Sequence, residues 1–242
     1  TAFALSAKCI ILTNSKRPWV HRCVRRFAPD LQLLIEGGSG GISVVYANEV
    51  HDKSVRRSGL RPVAHEMGTD DAELSEYLTK AKQAAMKREA QTFYSKYPGQ
   101  TWKNILSFGD MPYEHCALQE VTFRRISPQR ERVRTKAITE PTNPSVGEIT
   151  LRLQFATRML PAYVHLDDDL SLDLEVSPNP LRSIASGMQM PLLAELAFPT
   201  YAWGKQQAPS LEEQDAALDR LTRLVQNHLY AALCERRGLD SP

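Results

Sequence analysis

The chain has 242 residues, with 30 Lys and Arg against 28 Asp and Glu, so no global basic field points to nucleic acid. Its apolar content suffices for one ordinary domain plus an extension, and no apolar run approaches the roughly 20 residues that span a bilayer. The four cysteines (Cys9, Cys23, Cys116, Cys234) are scattered without CxxC spacing, which reads as buried free thiols in a reducing compartment rather than a disulfide framework.

Cys9-Ile10-Ile11-Leu12 reads as a buried strand ending in Thr13-Asn14-Ser15. Pro18 then starts a helix with Trp19, Val20, Cys23, Val24 and Phe27 on one face and Arg22, Arg25 and Arg26 towards water. A hydroxyl at a strand tip before a helix N-terminus favours an anion; the simpler role is that Thr13 or Ser15 caps the turn. Gly37–Gly41 is a loop without a dinucleotide or P-loop fingerprint, and Ile42–Tyr46 is the next strand. Val50 to Met67 is polar and irregular, with Lys53, Arg56, Arg57 and Arg61 on a solvated surface and His51 and His65 as solvated side chains. Asp70 to about Tyr94 is a long helix. Asp70 and Glu73 have capping-box spacing, Leu74, Tyr77, Leu78, Ala81, Ala85 and Phe93 form its apolar face, and Lys80, Lys82 and Lys87 read as solvated.

Trp102–Leu118 organises the chain. The apolar run Ile105, Leu106 and Phe108 stops at Gly109-Asp110, and Pro112 opens a helix through Cys116 and Leu118. Asp110 and Glu114 then lie beyond a strand's carboxyl end, where open α/β sheets bind ligands, and two carboxylates there suit a hard cation such as Mg²⁺. Glu120 to Lys136 carries Arg124, Arg125, Arg130, Arg132 and Arg134 and reads as a solvated connection, with Lys136-Ala137-Ile138 as the last core strand. Ser145 and Glu148 form a capping box before a helix bearing Ile149, Leu153, Phe155 and Leu160. Ser171–Val176 alternates like a half-exposed strand. From Ser177, prolines interrupt an apolar segment with Met188, Met190, Phe198, Tyr201 and Trp203, which either wraps its own domain or docks on another protein. A final helix from Ser210 carries Leu218, Leu221, Val225 and Leu229 on one face.

Three pieces stand in order: CIILTNSKRPWV, then ISVVYANE with a helix bearing MKREAQTF, then NILSFGDMPYEHCAL. Together they resemble the haloacid-dehalogenase-like superfamily, in particular its protist and algal branch with a strand ending in TNA or TNS before a Gly/Pro-Trp-Val helix. The resemblance runs from about Cys9 to Leu118 and more loosely to Val176. It implies an α/β fold with a Rossmann-like three-layer parallel sheet over residues 1–176, lacking the N-terminal strand. A C-terminal extension would follow over 177–242, irregular to 209 and helical from about 210 to 237. It further implies that the first three strands are parallel neighbours. Thr13, with Asn14 beside it, matches the group that holds a transferring phosphoryl; Lys87 matches the lysine that neutralises charge; Asp110 matches a Mg²⁺ ligand, and Glu114 stands where a second acid belongs.

The departure is the nucleophile. The superfamily places it in a DxD motif on an earlier strand, whereas the eight residues before Cys9, TAFALSAK, contain no aspartate, and Asp167-Asp168-Asp169 come too late in the chain. The expectation is therefore a catalytically incomplete domain serving as a structural or assembly subunit among other protein subunits, with no catalytic residue assigned. Met188, Met190, Phe198, Tyr201 and Trp203 would form its partner contact, and Mg²⁺ would be its only cofactor. The alternatives are a Mg²⁺-dependent phosphatase whose nucleophile segment lies outside this chain, and a phosphate- or nucleotide-binding regulator. An intracellular location is expected, and the first residue, Thr1, fits an organelle protein stripped of a targeting segment.

Overall fold

The computed structural model describes residues 2–36, 41–59, 71–100, 102–123, 132–175, 179–195, Ser210 and ten helical positions between 212 and 231. The chain is α/β and divides into two compact units, one of residues 2–103 and 112–133, the other chiefly of 104–111 and 134–242.

In the N-terminal unit a short helix α1 (Ala2–Leu5) precedes β1 (Ile10–Thr13). β1 pairs in parallel with β2 (Ser43–Tyr46), Ile10 opposite Ser43 and Thr13 opposite Tyr46. Parallel neighbours need a crossover, supplied here by α2 (Trp19–Phe27), a 3-10 helix (Pro29–Leu31) and α3 (Gln32–Glu36). α4 (Ala47–Arg57) follows β2 without a loop, and α5 (Asp71–Tyr94) and α6 (Pro112–Phe123) complete the unit. Its core is small: Val45, Ala47 and Val50 meet Ala81 and Ala85 of α5, with Ile10 and Leu12 packed against them. Ala81 and Ala85 lie one helical turn apart and end at Cβ, so α5 can approach closely. Tyr77, on the same face, donates its hydroxyl to Asp52 at 3.1 Å, and burial pushes that phenol up to about 12. His51 packs edge-on against the Tyr77 ring at 5.1 Å and is not simply solvated. No residue of α2, the 3-10 helix or α3 is buried, so the core-facing role expected for Trp19 and Phe27 does not hold.

The C-terminal unit contains a three-stranded sheet in the order β3 (Trp102–Gly109), β4 (Arg132–Thr139), β5 (Leu170–Asp173). β4 and β5 are parallel, Lys136 opposite Leu170, and α7 (Val146–His165) is their crossover. α8 (Pro180–Gly187) and a second 3-10 helix (Pro191–Glu195) follow. The core joins Ile138, Phe155, Met159, Leu170, Leu172, Ile184, Met188 and Leu218. Along β5 Leu170 and Leu172 point inward and Ser171 and Asp173 outward, as strand alternation requires. A Cβ on Gly187 would stand 2.9 Å from methyls of both leucines, so glycine lets the end of α8 rest on β5. Ser145 caps α7 by accepting the Glu148 N–H at 3.2 Å. Asn179 caps α8 by accepting the Leu181 N–H at 3.0 Å, with Pro180 in the first turn.

Several expectations change. β1 and β2 are parallel neighbours, but β3 belongs to the second sheet, so the described strands form two small sheets instead of one. Met188 is buried in its own unit's core and Met190 packs against it, because α8 and the turn after it cover β5. Met188 is thereby withdrawn from docking, while Met190 is half-buried. Phe198, Tyr201 and Trp203 lie outside the described residues, as do Asp70, His65, Arg61, Arg124, Arg125 and Arg130. Cys9 and Cys23 are half-buried and Cys116 is exposed, all as free thiols.

The basic run is no solvated connection once it enters β4. Arg134 pairs with Asp167, and the backbone N–H and hydroxyl of Thr135 both donate to Asp169 (2.6 and 3.1 Å). Lys136 is fully buried and donates to Asn104 Oδ1 at 2.6 Å, while the Asn104 amide donates to the Val164 carbonyl at 3.0 Å. Burial, aided by Arg134, lowers the Lys136 ammonium to about 8, against the opposing pull of Asp169, Asp167 and Asp168. The folded pKa lies below the ordinary value, so the unfolded chain binds the proton more tightly and stability rises with pH between about 8 and 10.5. We expect urea denaturation to show the wild type gaining on Lys136→Met by up to about 1.4 kcal/mol per pH unit across that window.

Candidate functional site

The site is built at the carboxyl end of β1. The Ser43 N–H donates to the Cys9 carbonyl at 3.1 Å, so Cys9 and Ile11 turn their backbone groups to β2 while Ile10 and Leu12 turn theirs to the outer edge. There the Lys82 ammonium, reaching from α5, donates to the Leu12 carbonyl at 2.9 Å. Lys82 is 5 % exposed, and its Nζ lies 2.6 Å from Oε1 of Glu114 on α6. The Tyr113 ring stands 5.9 Å from the same ammonium. Buried charges persist when they are paired and hydrogen-bonded, and this pair meets both conditions.

The turn after β1 is tied inward. Thr13 Oγ1 accepts the Ser15 N–H at 3.1 Å, the turn-capping role. Asn14 donates its amide to the Leu78 carbonyl at 3.4 Å, and Asn48 donates to the Asn14 carbonyl at 2.7 Å. The side-chain oxygens Asn14 Oδ1 and Asn48 Oδ1 are buried without a hydrogen-bond partner among the described residues. The two buried atoms without a partner are acceptors, whereas the Thr13 hydroxyl, which accepts from Ser15, keeps its proton to donate. Nearby, Arg17 forms a two-point pair with Glu49 (2.9 and 3.2 Å) and lies 4.4 Å over the Tyr46 ring, whose hydroxyl meets His21 Nδ1 at 3.2 Å.

Of the residues expected at the site, Thr13, Asn14 and Glu114 belong to the N-terminal unit, and Asp110 belongs to the C-terminal one, exposed after β3. Lys87 is exposed on α5, and Lys82 is the lysine at the strand tip. Helix phase was the signal that separates them. Its strength is small, since from the face marked by Tyr77, Ala81 and Ala85 Lys82 and Lys87 stand at similar angles, roughly 100° and 120° to either side. Lys82 differs in following half-buried Leu78 by one turn.

Glu114 does not fit the Mg²⁺ role as placed, because a divalent cation would have to displace an ammonium 2.6 Å away. Asp110 then offers one exposed carboxylate. Among the described residues, no three His, Cys, Asp or Glu side chains are grouped to hold a metal ion.

The C-terminal unit holds a second buried polar cluster that sequence reasoning missed. Arg152 donates to Glu148 (3.2 Å), Glu140 (3.4 Å) and the Leu174 carbonyl (2.8 Å), just past the carboxyl ends of β4 and β5. Burial pushes the Glu140 carboxyl up, partly offset by Arg152. Burial and Glu140 also push up the Tyr163 phenol, whose hydroxyl has no hydrogen-bond partner among the described residues. The available signal was Glu148 and Arg152, one turn apart on the helix face that also carries Leu151, Phe155 and Met159.

Compared with models of protein families, with curated proteins and with solved structures, the chain finds no match. No helix among the described residues is long and apolar enough to cross a membrane.

Removing one partner of a buried pair strands the other charge. Lys82→Met or Glu114→Gln alone should therefore lower the unfolding free energy by about 3–5 kcal/mol, and the double variant Lys82→Met/Glu114→Leu by less than their sum. Urea denaturation of the three variants checks this.

Proposed function

We propose that this chain is a haloacid-dehalogenase-like domain, Rossmann-like in plan, that serves as a structural or assembly subunit of a larger protein complex and turns over no phosphate ester itself. The observation that carries the reading is the commitment of Lys82. Phosphoryl transfer depends on cations presented to the charged oxygens of the substrate. Here the cation at the strand tip faces a main-chain carbonyl and a carboxylate of its own fold. The Asn14 amide is likewise engaged, on the Leu78 carbonyl of α5, and Thr13 Oγ1 accepts the Ser15 N–H within the turn. Asp110 alone would give Mg²⁺ only a weak site completed by water. Free, half-buried thiols suit a reducing intracellular compartment.

One observation favours a second reading. β1 pairs with β2 alone among the described residues, leaving the Ile10 backbone groups at an open edge. A strand from a segment outside this chain that paired there in parallel would bring its own carboxyl end beside Thr13. An aspartate at that end would complete a Mg²⁺-dependent phosphatase.

The test is an assay of the purified 242-residue chain with an aryl phosphate and Mg²⁺. Background rates are expected, unchanged in Asp110→Asn. Turnover that disappears in Asp110→Asn would overturn the structural-subunit reading.

A further inference from the structure

The outer edge of β2 borders a cleft of about 250 Å³, smaller than the roughly 300–1,000 Å³ of pockets that take drug-sized ligands. Arg17, His21, Ser43 and Val44 line it. One end is closed by α3. The Ile42 N–H donates to the Leu34 carbonyl at 2.7 Å, and Gly41 sits so near that carbonyl that a Cβ would overlap it. Since Ser43 turns its N–H to Cys9 on β1, Val44 turns its N–H and C=O to the outer edge, where neither has a partner among the described residues. Arg17 spends Nε and Nη2 on Glu49 (2.9 and 3.2 Å), but a guanidinium carries five N–H groups, so donors remain. With the Tyr46 hydroxyl donating to His21 Nδ1 at 3.2 Å, the neutral imidazole keeps its proton on Nε2. The nearby acids Glu49 and Glu36 are held by Arg17 and by Arg25 with Gln32, and neither lines the cleft.

We propose that this cleft binds a phosphate group, as the inorganic ion or the end group of a small ester, with the Arg17 guanidinium, the His21 imidazole, the Ser43 hydroxyl and the Val44 N–H as its donors. Donors from separate stretches of chain suit an anion with at least three oxygens to share, and a carboxylate has two. The Val44 carbonyl selects further. A phosphate that retains one proton near neutral pH can donate to it, whereas sulfate and carboxylate have no proton to give. The cleft lies along the outer edge of β2 and shares no residue with the β1 tip, so the inference holds whether or not the phosphatase-like reading does.

The experiment dialyses the intact 242-residue chain against radiolabelled inorganic phosphate, with sulfate and acetate as competitors at matched ionic strength. One saturable site is expected, holding phosphate about tenfold or more tightly than either competitor. Arg17→Met and Ser43→Ala should each weaken binding about tenfold, the effect of losing one hydrogen bond to a charged group. Glu49→Gln should not weaken it, which separates contact with Arg17 from the charge that Arg17→Met uncovers on Glu49. Arg22→Gln removes an exposed cation of α2 that does not line the cleft, and should leave binding unchanged. Arg17, Arg22 and Ser43 are all exposed, so thermal melts should stay close to wild type and separate lost binding from lost fold. Glycerol phosphate as a further competitor distinguishes the sources: displacement at lower concentration than the inorganic ion assigns an ester end group, and failure to displace assigns the free ion. No saturable binding at millimolar phosphate, equal binding of sulfate or acetate, full binding in Arg17→Met and Ser43→Ala, or an equal loss in Arg22→Gln would overturn the proposal. Binding lost in Thr13→Val but kept in Arg17→Met would also overturn it and assign the ion to the β1 tip.

Discussion

A lysine ammonium taken out of water loses several kcal/mol of hydration, and only close acceptors restore it. Lys82 finds two, on different segments: the Leu12 carbonyl at the edge of β1 and the Glu114 carboxylate on α6. Since Lys82 itself belongs to α5, one group ties three elements of the N-terminal unit together. The core beside it is made mostly of alanine and valine, so apolar packing there is modest and the polar brace fixes where the three elements meet. The same brace decides the chemistry of the strand tip. Glu114 is held by an ammonium, and the edge carbonyl of β1 is already occupied.

The C-terminal unit repeats the arrangement with other groups. Arg152 gathers Glu140, Glu148 and the Leu174 carbonyl, and Lys136 is held by an asparagine whose own amide is fixed by Val164. Such groups add little net stability, since well-packed apolar side chains would often do as well. What they specify is position. Glu140 follows β4 directly, its N–H donates to the Gly109 carbonyl at the end of β3, and Arg152 binds the Leu174 carbonyl past β5. The ends of all three strands are thereby brought level around one guanidinium.

Local order was legible in the sequence where period and capping settle it. β1, β2 and β5, the Ser145 cap and the turn role of Thr13 follow from apolar runs, alternation and hydroxyl placement. Pairing was not, because an apolar run such as Ile105–Phe108 carries no mark of which strand will lie beside it, and β3 joined β4. Burial of charge was hidden for a similar reason. A lysine in a helix reads as solvated, and its phase against the small residues of α5 barely separates Lys82 from Lys87, because both stand well off that face. The stripe on α2 marks the reverse limit: periodicity shows that Trp19 and Phe27 share a side, not that anything in the chain covers it.

The order of motifs along a chain and the direction in which their donors point are separate properties, and only the second decides chemistry. A strand tip reading Thr-Asn-Ser before a helix can cradle an anion when its N–H and hydroxyl donors face outward. Here the Thr13 hydroxyl is bound by the Ser15 N–H, the Asn14 amide is spent on Leu78, and the Asn48 amide is spent on Asn14. Among the described residues these side chains leave the Asn14 and Asn48 oxygens unpaired, which demand a donor, and the Thr13 hydroxyl with its proton still to donate. Phosphate at neutral pH is mainly an acceptor. The hydrogen bonds that this tip makes are therefore chiefly to its own fold.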